Sequence, residues 1–68
     1  MNQKFAIRSE PERALHRAAY DIAHLGETPE RAAALERALS NSAVTPDRRA
    51  QVYERARLCG AEQRERER

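Results

Sequence analysis

The sequence of 68 residues has no tryptophan, one phenylalanine and two tyrosines, which leaves little aromatic material for enclosing a small ligand or organic cofactor. Its single cysteine, Cys59, excludes an internal disulfide and suits a reducing compartment. Two glycines are too few for a phosphate-cradling loop. No apolar run reaches membrane-spanning length and the N-terminus lacks the apolar segment of a signal peptide. A cytoplasmic location without a membrane partner is therefore expected. Large apolar side chains are scarce too, chiefly Leu15, Ile22, Leu25, Leu35, Leu39, Val52, Tyr53 and Leu58. Alanine supplies much of the rest; it favours helix but removes little area from water. A chain this short buries only about 60% of the surface its unfolded form exposes. The core is thin, so support from an identical or a foreign partner is expected, and the chain reads as a self-associating homo-oligomer.

Charge is plentiful by contrast. Thirteen basic and eleven acidic residues give a net charge of only +2, far from the basic stripe of a strong nucleic-acid binder. The middle of the chain is slightly acidic and both ends are basic. Twelve of the thirteen basic residues are arginine, the type that makes planar, bidentate contacts.

One stretch organises the chain: Gly26-Glu27-Thr28-Pro29-Glu30-Arg31 reads as a helix stop followed at once by a helix start. Glycine adopts the left-handed turn past a helix end, threonine caps the next helix, proline fits its first turn, and glutamate lies near the positive end of its dipole. The same start occurs at Ser9-Glu10-Pro11-Glu12 and at Thr45-Pro46-Asp47. Three starts predict three helices, over about 10–25, 29–40 and 46–59, in an all-α domain spanning 9–60. The short joint at Gly26 makes the first two an antiparallel hairpin, to which the third is added. Gly60 reads as the last stop, and residues 61–68, of alternating charge and no apolar periodicity, read as a frayed tail. Residues 1–8 satisfy a short strand and an extended arm equally, with Phe5 and Ile7 on one side.

At helical spacing, Ala14, Leu15, Ala18, Ala19, Ile22 and Leu25 form the inner face of the first helix. Ala32, Leu35, Ala38 and Leu39 form that of the second. Val52, Tyr53, Ala56 and Cys59 form that of the third, with Leu58 pointing away. Val44, just before the third cap, is placed to pack as a staple.

Nothing in the pattern supports catalysis. Cys59 has no activating base in sequence, and His16 and His24, eight residues apart, do not form the i, i+4 pair that chelates zinc. The chain reads as non-enzymatic, with no metal, cofactor or small-molecule substrate. The outer face of the first helix is more informative. Arg13, Arg17, Tyr20 and His24 recur at i, i+4, i+7 and i+11, flanked by His16 and Asp21. Arginine and tyrosine dominate binding hot spots, so this stripe is the expected contact surface for a protein partner.

Nucleic-acid recognition is the alternative. The second and third helices, joined by Ser40 to Val44, match a helix-turn-helix with Arg48, Arg49, Gln51 and Arg55 opening the reading helix. Separately, Lys4-Phe5-Ala6-Ile7-Arg8, one amphipathic helix ending at Gly26 and a capped second helix resemble a ribbon-helix-helix DNA-binding protein over residues 4–39. That resemblance implies two chains pairing their strands, with Lys4, Ala6 and Arg8 reading the major groove. The sequence thus leads to a small regulatory or inhibitory protein that occupies a protein partner, in the manner of an antiactivator or a phage-encoded inhibitor. A dimeric DNA-binding transcriptional regulator stands as the alternative.

Overall fold

The computed structural model describes residues 5–68. It contains three helices, α1 (Glu10–Leu25), α2 (Pro29–Leu39) and α3 (Pro46–Arg66), so the protein is all-α as its capping pattern predicts. Each start forms as the side chains dictate. The Ser9 hydroxyl accepts from the Glu12 N–H, that of Thr28 from the Arg31 N–H and that of Thr45 from the Arg48 N–H. A proline occupies the first turn of every helix, where its missing N–H costs nothing. Gly26 takes φ of 95° just past α1 while its N–H closes on the Ile22 carbonyl at 2.9 Å. The Arg31 guanidinium adds a 3.1 Å bond to the Gly26 carbonyl, locking the joint.

α1 is the central helix, packed most extensively against α3 and next against α2, and Val52 of α3 joins Leu15 of α1 and Ala38 of α2 in one core cluster. Leu35, Ala38 and Leu39 of α2 reach Leu15 near the start of α1, so α2 runs antiparallel to it. α3 runs parallel to α1: Arg48 meets Glu12 at one end and Gly60 meets Ala23 at the other. The molecule is consequently flat, 38 × 35 × 16 Å, little thicker than one helix with its side chains at about 10–12 Å. Among the described residues only Leu15 and Val52 are large and fully enclosed. The exposed area of 5180 Å² exceeds the roughly 4,400 Å² of a compact monomer of this mass.

Several positions depart from the sequence expectation. α3 does not stop at Gly60 but continues to Arg66. Gly60 lies where α3 passes close to α1: a Cβ built there would come within 2.6 Å of the Tyr20 carbonyl oxygen and 2.8 Å of the Ala23 Cβ. The glycine serves packing rather than termination. Beyond it, residues 61–66 are held as helix by the Glu62–Arg66 pair at 3.4 Å, and its end is fastened by a Gln63–Glu67 bond at 2.9 Å and a 2.8 Å contact from Glu67 to His24. Leu25, placed on the inner face by periodicity, is 54% exposed, because it closes α1 where the chain turns away at Gly26. Ala14 is exposed as well. Val44 is buried before its cap. Among the described residues 5–8 form no strand; Phe5 and Ile7 are half-buried against the core.

Candidate functional site

The N-terminal arm is pinned by one buried pair. Glu12 accepts from the Arg48 Nε at 2.9 Å and from the Arg8 N–H at 2.8 Å, and Arg48 also donates to the Ala6 carbonyl and, at 3.2 Å, to Gln51. The Arg48 hydrogen bond, helped by the Arg8 N–H, holds the Glu12 carboxyl below its ordinary pKa. The Arg48 guanidinium also lies 4.9 Å from the Phe5 ring centroid, with that of Arg55 at 5.5 Å, both within cation–π range. Phe5 is thereby fixed over α1.

From Phe5 a row of rings runs along α1. Phe5 and His16 stack with centroids 6.4 Å apart, His16 and Tyr20 stack at 6.2 Å, and Tyr20 and His24 meet at 5.5 Å with tilted planes. Burial holds the His16 imidazole below its ordinary pKa, favouring the uncharged ring there. Of the stripe read from sequence, Arg13 and Arg17 project outward, their side chains 67% and 80% exposed. Tyr20 is half-buried, and its hydroxyl has no hydrogen-bond partner among the described residues. Ile7, Arg13, His16, Arg17 and Tyr20 line a shallow concavity of about 410 Å³. His24 is drawn out of the stripe: its side chain is only 18% exposed and its Nε2 lies 2.8 Å from the Glu67 carboxylate. That carboxyl is held below its ordinary pKa first by Gln63 and then by His24.

The residues named for DNA are divided by the fold. Lys4 lies outside the described residues. Arg8, Arg48 and Arg55 gather around Phe5 in a second concavity of about 480 Å³, with Ala6, Gln51, Glu54 and Leu58. Arg48 is engaged inside it by Glu12. Arg49 instead closes the α2–α3 loop, donating to the Val44 carbonyl at 3.0 Å and the Asn41 carbonyl at 3.4 Å. Ala6 turns its carbonyl inward to Arg48; the Arg8 side chain remains exposed.

Sequence reasoning passed over Phe5, Ile7 and Glu12 as parts of this surface. Glu12 carried a signal, since Ser9 and Glu12 are spaced as a capping box. Its pairing with Arg48, 36 residues away, carried none. Among the described residues no group of three or more His, Cys, Asp or Glu side chains is arranged to hold a metal ion, and no helix is long and apolar enough to cross a membrane. No protein-family model matches the chain, and no curated protein and no solved structure matches it.

Proposed function

We propose that this protein is a non-enzymatic regulatory or inhibitory binding protein that docks the outer face of α1 on a protein partner. The observation that carries the proposal is the state of Tyr20. Its ring is held between His16 and His24 and flanked by two exposed arginines, so an aromatic anchor is ordered before a partner arrives and loses little freedom on binding. The arginines' own partners are exchangeable. Arg13 meets Glu10 at 3.5 Å and Arg17 meets Asp21 at 3.4 Å, both as exposed pairs within one helix, and such pairs contribute at most about 1 kcal/mol. A partner presenting carboxylates around an apolar cleft fits this face best.

A dimeric DNA-binding regulator is the second reading, favoured by Arg8 and Arg55, which have no ion-pair partner among the described residues and line the Phe5 concavity together. Salt separates the two. DNA affinity resting on several phosphate contacts falls by orders of magnitude between about 50 and 200 mM salt, whereas docking on an aromatic anchor changes little. The test is capture from host lysate with and without nuclease, using wild type and the Arg17→Ala/Tyr20→Ala double variant. A protein retained after nuclease and lost with the double variant, whose helicity by circular dichroism is unchanged, supports docking through α1. Loss of every partner on nuclease treatment overturns it.

A further inference from the structure

We propose that the outer face of α2 is a contact for a second copy of this chain, which lies antiparallel on it through Glu30, Ala33, Ala34 and Arg37. This surface is separate from the Tyr20 face and does not depend on that reading.

Ala38 is the one buried residue of α2; Glu30 and Arg37 are exposed, with Ala33 and Ala34 half-buried between them. Leu35 and Leu39 turn to the core, and at 100° per residue Glu30, Ala33, Ala34 and Arg37 occupy the opposite side. The charges on that side are unlike those elsewhere. α1 pairs Glu10 with Arg13 and Arg17 with Asp21, and α3 pairs Glu54 with Arg57, Glu62 with Arg66 and Glu65 with Arg68. α2 has no such pair among the described residues. Its exposed Glu30 and Arg37 are seven residues apart, beyond the three- or four-residue spacing at which side chains on one helix meet.

The order of residues supplies the missing partner. About the midpoint between Ala33 and Ala34, Glu30 falls opposite Arg37 and Arg31 opposite Glu36. A two-fold axis there brings each Glu30 to the Arg37 of the other copy, forming two equivalent pairs, whereas a parallel arrangement sets glutamate against glutamate. The alanines at the axis leave no bulk between the backbones, so the helices approach to the short end of the usual 8–10 Å or so. Such a contact uses one patch on both copies and closes at the dimer. α2 is only about 16 Å long, and the area covered is well under the 800 Å² or so that one partner contributes to a stable interface. The dimer is therefore weak, exchanges rapidly and populates at high concentration.

Sedimentation equilibrium of the full chain from about 10 μM to 1 mM tests this. Wild type should associate to a dimer. Glu30→Arg and Arg37→Glu should each weaken association at least about tenfold. An equimolar mixture of the two should restore it, as should the double variant carrying both changes. Both single changes also set a charge against the helix dipole, so Ala34→Arg serves as a second probe. It gives Glu30 an arginine at i+4, which supports the helix, and it blocks the axis; the variant should be helical and monomeric. A wild type that stays monomeric to 1 mM, single variants that associate like wild type, or failure of both the mixture and the double variant to restore association would each overturn the proposal. Binding through Tyr20 is expected to survive Ala34→Arg, so the two surfaces fail or hold separately.

Discussion

Replacing Gly60 with alanine sets two effects of opposite sign against each other. In a solvent-exposed helix the change should stabilise by about 1 kcal/mol, since glycine is the poorer helix former. At Gly60 the new Cβ meets the Tyr20 carbonyl oxygen at 2.6 Å, the Ala23 Cβ at 2.8 Å and the His24 nitrogen at 3.2 Å. Close C···O contacts normally sit at about 3.3–3.6 Å, and two of these three neighbours are backbone atoms that no rotamer change can move. α3 must shift away from α1, and overpacking of this kind costs about 1–3 kcal/mol. The net expectation is a loss of about 1 kcal/mol, a substantial share of the roughly 3–10 kcal/mol available to a domain of this length. The midpoint of thermal unfolding followed by circular dichroism should fall by about 4–8 °C. Ala61→Gly, at an exposed neighbour, should also destabilise by about 1 kcal/mol through propensity alone. Both directions of exchange thus lower stability at adjacent positions. A Gly60→Ala variant that melts higher than wild type would refute the close passage of α3 over α1.

Acid should weaken the arm before the helices. The folded Glu12 carboxyl has a lowered pKa, chiefly through Arg48, so the folded chain binds fewer protons than the unfolded chain below the ordinary value of 4.5. Its contribution is complete above that value and is lost as pH falls through the folded pKa. Urea midpoints for wild type and Glu12→Gln should differ most near neutral pH and converge as pH falls through the folded pKa of Glu12; a gap independent of pH would contradict the pairing. His16, also lowered, adds loss with the same sign below its ordinary 6.5. For the end of α3, amide hydrogen exchange should show protection across residues 61–66, reduced several-fold by His24→Ala while amides around Leu15 and Val52 are unaffected. Absence of protection in wild type would restore the frayed tail.

Local chemistry was legible where the deciding atoms are neighbours in sequence. Ser9, Thr28 and Thr45 each cap with a hydroxyl that reaches three residues ahead, and Gly26 stops α1 because its backbone tolerates positive φ. Those interactions span at most four residues, so the order of residues contains them. The outer stripe was legible in part, since Arg13, Arg17 and Tyr20 follow from helical spacing. His24 was not, because its partner Glu67 arrives from α3. Phe5 joins the row through Arg48 and Arg55, and no local signal marks Arg48 as the partner of a glutamate 36 residues distant.

Gly60 draws the line between the two kinds of information. Residue order alone sets three helices, where each begins, and the arginines and tyrosine that α1 carries away from its apolar face. Packing between helices settles the rest: α3 runs parallel to α1 and continues past Gly60, the outer side of α2 keeps Glu30 and Arg37 exposed, and Arg13 and Arg17 are left with exchangeable partners. The physical reason is reach: caps and turns are settled by bonds within a helical turn, whereas a glycine's role depends on what backbone passes above it, and that is fixed by packing.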